Sequence, residues 1–455
     1  MRIPLHFQKL LVSVFAVALS SFLISKQFAD GYIETKEEKF RDESLRLLMI
    51  ATNKSNNNIN ISIGLSDVGS TNSNTTSTTT TNITVAFAIS ISSCNWNVID
   101  AVAIHGYSID LVQRQSSYSH RRYAFVHTNS TVCSSDLRRL GYIVLEREVP
   151  IRVGDIAKPY LREAIETNGC CGSKELLKLY VYTLNESVAV HLDTDMLLLQ
   201  PIDELFDTIL NGKSERNREV VTEENRPLPP NNHPVDFFFT RDYSQGPKNT
   251  NDTSRWAVQG GFLVVKTSPS KFRDILNVVL MGRYFKRGWA GSGIGVFWGG
   301  AQVQGLLPYI YLNDPSAVEL DRCIYNNMAD HQTFPGGPYE GRCTTLKANC
   351  SNCQLTPFSE IKLVHLTMCS KPWRCSRFED RRGQCPRMLG KWFELRRELE
   401  AAWGRPFQPK PARRWFHNVS QGYCLRNKEK SKRYIQMQLP RDLNWSHVIS
   451  LAAAP

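Results

Sequence analysis

The chain has 455 residues, a formal net charge of +12 and a hydrophobic fraction of 42%. This length holds one large or two ordinary domains and permits a sizeable buried core. The lysines and arginines are scattered, and no basic run interleaved with aromatic residues occurs before the segment 376–455, so we predict no nucleic-acid partner. The positive balance instead suits an anionic ligand or a membrane surface.

The amino terminus predicts a membrane anchor. Arg2 and Lys9 precede an apolar run, and Lys26 closes it. The run also fits the core of a signal peptide, but no small-x-small cleavage site follows it. We therefore expect a cytosolic tail at 1–9 and an uncleaved transmembrane signal anchor at 10–25. Such a single-pass type II protein would place the rest of its chain in the lumen of the endoplasmic reticulum or Golgi.

Two further features agree with exposure to the lumen. Residues 26–82 are rich in Asn, Ser and Thr and too polar to form a core, which predicts a glycosylated stem. Ten Asn-x-Ser/Thr acceptors occur along the chain. They are Asn53, Asn60, Asn74, Asn82, Asn129, Asn185, Asn251, Asn349, Asn418 and Asn444.

The chain contains twelve cysteines, six of them crowded together. The crowded set is Cys343, Cys350, Cys353, Cys369, Cys375 and Cys385. An even number of cysteines in an oxidising compartment predicts disulfides. The Cys-x-x-Cys spacing within the set leaves a zinc site as the alternative, and the pairing stays open.

Folded secondary structure is predicted from residue 83 onward. Apolar, β-branched runs predict strands, and apolar residues at helical spacing predict helices between them. The strands fall at 83–91, 123–126 and 142–145, and the helices at 98–112 and 136–140. This alternation predicts an α/β fold with a Rossmann-like, mostly parallel central sheet flanked by helices. Residues 211–234 form a polar insert and predict a loop.

The most informative stretch is a buried strand at 187–192 that runs into Asp193-Thr194-Asp195 and another apolar run. Side chains alternate along a strand, so Asp193 and Asp195 point the same way if strand geometry persists. Two carboxylates between apolar runs are costly to keep ionised without a positive charge between them. We therefore expect a divalent cation here; a solvated turn is the alternative.

Three other segments stand out for their polar or glycine residues. Residues 174–184 predict a helix with Lys178 in its middle. Gln259-Gly260-Gly261 opens a further strand, and paired glycines let a ligand approach the backbone. A glycine-rich stretch at 288–300 leads into Gln302.

Taken together, these stretches resemble glycosyltransferase family 8, the glycogenin-like enzymes. The likeness lies in the strand with Asp193-Thr194-Asp195 and the following LLLQPIDELF, and in VHLTMCSKPW at 364–373, which is similar to the family's His-x5-Lys-Pro-Trp element. Gln259-Gly260-Gly261 and Gly299-Gly300-Ala301-Gln302 lie where that family carries its sugar-pocket segments. The resemblance covers 83–375, which predicts a catalytic domain there and a basic extension at 376–455.

The resemblance implies a GT-A fold and transfer of a sugar, with retention at the anomeric carbon, from a UDP-sugar donor to a glycan, lipid or protein acceptor. It also implies a manganese ion held by Asp193, Asp195 and His365. Lys371 would contact the donor diphosphate, and Lys178 would lie near the nucleotide.

The remaining implied roles belong to the sugar-pocket segments. Gln259, Gly260 and Gly261 would border the donor. Gln302 would lie near the reacting face of the sugar, which makes it the candidate catalytic residue. No carboxylate in its segment is an obvious nucleophile, so we expect front-face displacement through an oxocarbenium-like state.

Three positions depart from the family pattern. Gln259 stands where other members have Asn, and the other two departures keep other functions open. Ala301 stands where many members have Asp, and Met368 replaces a glycine inside the His-x5-Lys element. A catalytically inactive relative that binds nucleotide-sugar or glycan is the main alternative. A phosphohydrolase with an aspartyl nucleophile also places Asp-x-Asp after a strand, but there a Gly-Thr turn usually follows.

Overall fold

The computed structural model describes residues 83–211, 220–222, 233–246, 255–333, 340–344, 349–375, 383–406, 419–426 and 432–451. The predicted tail, anchor and stem at 1–82 lie outside these residues, as does most of the polar insert at 211–234. No helix among the described residues has the length and apolar character needed to cross a bilayer.

The described residues form thirteen strands, seven of which make the central sheet. The strands are β1 (Thr84–Ile91), β2 (Ser119–His127), β3 (Ile143–Arg147), β4 (Val188–Leu192), β5 (Met196–Leu198), β6 (Phe237–Asp242), β7 (Ala257–Lys266), β8 (Tyr284–Phe285), β9 (Gly288–Trp289), β10 (Ala317–Glu319), β11 (Leu363–His365), β12 (Cys424–Arg426) and β13 (Lys432–Tyr434). The central order is β10-β6-β7-β4-β1-β2-β3. Within it β7 runs antiparallel to both neighbours and every other pairing is parallel. The predicted mostly parallel α/β sheet is confirmed.

Helices cover both faces of this sheet. They are α1 (Trp96–Gln113), α2 (Ser134–Arg139), α3 (Pro159–Thr167), α4 (Asp203–Asn211), α5 (Pro269–Met281), α6 (Val303–Ile310), α7 (Arg322–Tyr325), α8 (Gln384–Ala402) and α9 (Trp445–Leu451). Their ends follow from local sequence. The side chain of Asn95 accepts a hydrogen bond from the N–H of Val98 and caps α1. Gly282, at φ 67°, ends α5 in the left-handed conformation that glycine adopts most easily.

The helix predicted at 174–184 is a 3₁₀ helix over Gly172–Thr183. Residues three apart eclipse each other in this geometry. Glu175 therefore lies directly beside Lys178, and their side chains form an ion pair of 2.9 Å. The difference from an α-helix matters because it aligns these two charges below the end of β4.

Alternate residues of β1 show how both sheet faces are buried. Ala86 and Ala88 face a cluster with α3, α5 and α6, whereas Ile89 and Ile91 face a cluster with α1 and α8. Each of the four is at most 2% exposed. A strand buried on both sides reads as a continuous apolar run, which explains the sequence of β1.

Ten of the twelve cysteines form five disulfides in the described residues. The pairs are Cys94–Cys133, Cys323–Cys353, Cys343–Cys350, Cys369–Cys385 and Cys375–Cys424. The predicted disulfides are confirmed over the zinc alternative. Two members of the crowded set have partners outside it, which spacing alone could not indicate.

A buried histidine on α1 predicts loss of stability in acid. His105 is 1% exposed, and burial, with a smaller contribution from the charge of Arg122, lowers its pKa from 6.5 to about 3. Below pH 6.5 the unfolded chain binds a proton that the folded His105 does not. Between pH 7 and pH 5 this group therefore removes about 2 kcal/mol from the free energy of unfolding.

Chemical denaturation of wild type and His105→Asn at both pH values tests this. The variant should lose less stability on acidification, because the cavity cost of the substitution does not depend on pH. His447→Asn, at an exposed position, is the control and should behave like wild type. Equal pH dependence of His105→Asn and wild type would contradict the prediction.

Candidate functional site

The carboxyl end of β4 is held by its neighbour β7. The N–H of Asp193 donates to the carbonyl of Gly261 at 2.8 Å, which extends the ladder one residue beyond β4. The chain then turns, and the N–H of Met196 donates to the carbonyl of Asp193 at 3.1 Å. We expected strand geometry to continue through Asp195, but the strand ends before Asp193 and a turn follows. The turn, rather than strand alternation, orients the two aspartates.

A short antiparallel ladder brings the distant histidine to this turn. β5 pairs with β11, with Met196 opposite His365, and the N–H of Leu366 donates to the carbonyl of Asp195 at 3.0 Å. Asp193, Asp195 and His365 each offer one ligand atom, and these atoms lie within 4.8 Å of one another. The three residues predicted to hold a metal thus lie together, and their binding of a metal stays a prediction.

The surroundings of His365 leave Nε2, the ring nitrogen that faces Asp195, without a proton. Nδ2 of Asn326 donates to Thr240 at 2.8 Å, so Oδ1 of Asn326 accepts the proton of His365 Nδ1 at 3.1 Å. Burial, together with the Lys178 charge and against the pull of Asp193, lowers the pKa of His365 to about 4. Its Nε2 therefore presents a lone pair 3.5 Å from Oδ1 of Asp195. Two acceptors that face each other with no proton between them fit a bound cation.

Lys178 neutralises one of the two aspartates. Its Nζ lies 3.0 Å from Asp193, 2.9 Å from Glu175 and 3.1 Å from the carbonyl of Gly260. These three acceptors use all three ammonium protons. Burial raises the pKa of Asp193, but the charge of Lys178 lowers it more, so that the pKa of Asp193 is about 2. Asp193 is therefore ionised throughout the physiological range.

Lys371 forms an ion pair with the other aspartate. Its ammonium contacts Oδ2 of Asp195. Burial lowers the pKa of Lys371 to about 8, although Asp193 opposes this shift. With Glu175 included, three carboxylates face two ammonium groups, and neutral His365 leaves the cluster with one net negative charge. The donor set and its charge both suit a divalent cation.

Two glycines of β7 lie beside the predicted metal ligands. Gly260 and Gly261 follow Gln259, whose Oε1 accepts a hydrogen bond from the N–H of Gly261 at 2.6 Å. A Cβ at Gly261 would lie 2.6 Å from Cε1 of His365 and 2.9 Å from Oδ2 of Asp193. Glycine is therefore required at this position for the predicted ligands to keep their places.

Gln302 is buried and contacts the turn that follows α3. Its Nε2 donates to the carbonyl of Ile165 at 2.9 Å and to that of Gly172 at 3.0 Å. Both amide protons thus hold the turn between α3 and the 3₁₀ helix. Ala301 is 1% exposed within the apolar cluster under α6, whereas Met368 is 57% exposed. The catalytic role of Gln302 stays a prediction.

Sequence reasoning missed three residues that support the site. Asn326 and Thr240 orient His365, and Glu175 shares Lys178 with Asp193. The spacing of Glu175 and Lys178 was a usable signal, because an acidic and a basic residue three apart face each other on a helix. Asn326 has no comparable local signal, since its partners come from β6 and β11.

No protein-family model matches the chain, and no curated protein matches it. Among solved structures, the galactosyltransferase LgtC, in complex with donor and acceptor sugar analogues, is 12% identical over 69% of this chain and 95% of its own, with a TM-score of 0.38. Mouse xyloside xylosyltransferase 1, in its apo form, is 11% identical over 64% of this chain and 99% of its own, with a TM-score of 0.38. The glycosyltransferase GlyE of Streptococcus pneumoniae TIGR4 is 12% identical over 72% of this chain and 66% of its own, with a TM-score of 0.37. At these TM-scores the overlaps assign neither a fold family nor an activity.

The glycine pair predicts a sharp difference between two neighbouring substitutions. Gly261→Ala should displace the buried His365 or the half-buried Asp193 and weaken Mn²⁺ binding by a factor on the order of ten or more. Electron paramagnetic resonance of the free ion during a Mn²⁺ titration measures this affinity. Gly260→Ala is the matched control, because its Cβ would meet neighbours only at 3.4 Å and beyond. Equal affinities of the two folded variants would contradict the placement of the ligands.

Proposed function

We propose that the protein is a metal-dependent retaining glycosyltransferase with a GT-A fold. It transfers a hexosyl or related sugar from a UDP-sugar to a glycan, lipid or protein acceptor. The observation that carries the proposal is the convergence of Asp193, Asp195 and His365 within 4.8 Å. Their order along the chain, with Lys371 after the histidine, is the order of the motifs in the family 8 enzymes that the sequence resembles.

The donor set fits the metal that the resemblance implies. Asp193, Asp195 and His365 would hold the ion, and two carboxylates with one neutral imidazole suit manganese better than calcium. When bound, the ion would act as a Lewis acid that neutralises charge on the departing diphosphate.

The two lysines have different electrostatic roles in this proposal. Lys178 is saturated by its three acceptors and keeps Asp193 ionised and in place. Lys371, with a pKa of about 8, is mostly protonated at neutral pH and is 23% exposed at its side chain. Lys371 is therefore the ammonium group that can turn from Asp195 toward a diphosphate and bind it as a point charge.

Retention is proposed through front-face displacement. The segment around Gln302 supplies no carboxylate for a covalent intermediate, so the oxocarbenium-like state would be stabilised by the donor's own phosphate. Gln302 would then lie near the reacting face of the sugar, and the side-chain-free backbone of Gly260 and Gly261 would leave room for the donor. Gln259, which accepts a hydrogen bond from the N–H of Gly261, would hold the backbone of these two glycines in place.

We place the protein in the Golgi or endoplasmic reticulum membrane, with its catalytic domain at 83–375 in the lumen. Five disulfides support an oxidising compartment. The glycan acceptors among the described residues are also exposed. They are Asn129, Asn185, Asn349 and Asn444.

One observation favours a second candidate, a relative that binds nucleotide-sugar without turnover. Both amide protons of Gln302 are committed to backbone carbonyls, and Ala301 lies in the apolar core. Neither side chain donates to the space beside Asp193. Under this alternative, UDP binds in the presence of manganese and no donor is consumed.

The test is UDP release by the full-length protein, purified in detergent, from a panel of UDP-sugars with Mn²⁺. Asp193→Asn with Asp195→Asn should reduce the rate by about 10²–10³-fold, as expected when preorganised charge is lost from a transition state. Chelation should abolish release, and Mn²⁺ should restore it better than Ca²⁺.

Asp274→Asn, on the exposed side of α5, is the matched control and should retain the wild-type rate. Unchanged UDP release by the double variant would reject the proposed function. Calorimetric UDP binding with no turnover of any donor would instead select the binding relative.

A further inference from the structure

Two adjacent cysteines stand apart from the otherwise oxidised chain. Cys170 and Cys171 are free thiols, whereas the other ten cysteines are in disulfides. Their Sγ atoms lie 3.1 Å apart. Cys170 is exposed and Cys171 half-buried, so a small reagent can reach the pair from solvent.

The surroundings of this pair favour a thiolate on one of the two sulfurs. Sγ of Cys170 donates to Oε1 of Glu175 at 3.2 Å, and Glu175 in turn binds Lys178. The contact with Sγ of Cys170 and the charge of Lys178 lower the pKa of Cys171, against the effects of burial and of Glu175. The thiolate is the nucleophilic form of cysteine.

We propose that Cys170 and Cys171 form an oxidation site that closes reversibly into a vicinal disulfide. The oxidant is a small-molecule disulfide of the glutathione class. The Cys171 thiolate attacks one sulfur of this disulfide and releases the other as a thiol; Cys170 then loses its proton and attacks Sγ of Cys171, which releases the second thiol. Two cysteine thiols and one disulfide thus become one protein disulfide and two small thiols.

The turn that carries the pair is suited to such a closure and reopening. Gly169 (φ 145°) and Gly172 (φ 60°) flank the cysteines, both in conformations that other residues rarely adopt. A disulfide between neighbouring residues closes a small, strained ring, and strained, exposed disulfides are reduced more easily than structural ones. The pair can therefore change its oxidation state while the five structural disulfides persist.

The oxidation state of the pair reaches the candidate site through two contacts. Oxidation removes the Sγ–H that Cys170 donates to Glu175. Glu175 then keeps its ion pair with Lys178, and Lys178 also pairs with Asp193. The same turn offers the carbonyl of Gly172 to Gln302. Oxidation therefore alters the charge balance at Asp193 and the support of Gln302. This coupling to donor binding rests on the proposed function, whereas the thiol chemistry does not.

The test of the oxidation site is a redox titration of the native full-length protein with glutathione, read by mass spectrometry of the peptide that contains Cys170 and Cys171. Wild type should lose two hydrogens reversibly and carry no glutathione. Cys170→Ser and Cys171→Ser keep one thiol each and should carry one glutathione instead. Two thiols that remain alkylatable after equilibration with oxidised glutathione would overturn the proposal, as would a tightly bound stoichiometric Zn²⁺ on the pair.

Coupling is measured on the same samples by two readouts. Hydrogen exchange of the peptide spanning 172–183 should differ between reduced and oxidised wild type, and UDP affinity with Mn²⁺ should change by about fivefold or more. The double variant Cys170→Ser, Cys171→Ser is the control and should show no redox response. Identical exchange and affinity in the two states would overturn the coupling. Absence of UDP binding in both states counts against the proposed function, while the mass of the peptide still decides the oxidation site.

Discussion

The antiparallel pairing of β5 with β11 is the contact on which the candidate site depends. β5 begins directly after Asp195, and β11 ends at His365, so a ladder of three residue pairs joins two distant parts of the chain. Backbone hydrogen bonds to Asp195 and Asn327 hold the histidine there. Because Asn326 accepts the Nδ1 proton of His365, the other ring nitrogen meets a carboxylate without a proton between them. Hydrogen bonds within the protein therefore fix the orientation of His365 relative to Asp195.

Burial of charge explains the surroundings of this contact. Lys178 is 7% exposed and Asp195 also 7%, and buried ions are tolerated only where each has complete partners. The 3₁₀ helix meets this need, because it places Glu175 three residues before Lys178 on the same face. Local backbone geometry, charge compensation and the free thiol of Cys170 are thereby linked in one continuous cluster.

The described residues after 383 also support the site. Lys371 lies in a loop bounded by Cys369 and Cys375, and disulfides tie these cysteines to Cys385 and Cys424. α8 packs its aromatic side chains into the same apolar cluster as α1. The loop that presents the lysine is thus fastened on both sides to the C-terminal part of the chain. The domain boundary placed at 375 stays a prediction.

The sequence by itself determined the alternating strands and helices, the buried strand that precedes Asp193-Thr194-Asp195, and the presence of disulfides. Each of these depends on local periodicity or composition, which a single chain displays directly. The reversed β7, the turn that orients Asp195, the partner of each cysteine and the roles of Asn326 and Glu175 were decided by the tertiary structure. They depend on which distant segments pack together, and sequence spacing carries no record of such contacts. The same reason explains why Gln302 could be singled out by resemblance, whereas its hydrogen bonds to Ile165 and Gly172 emerged only from the folded chain.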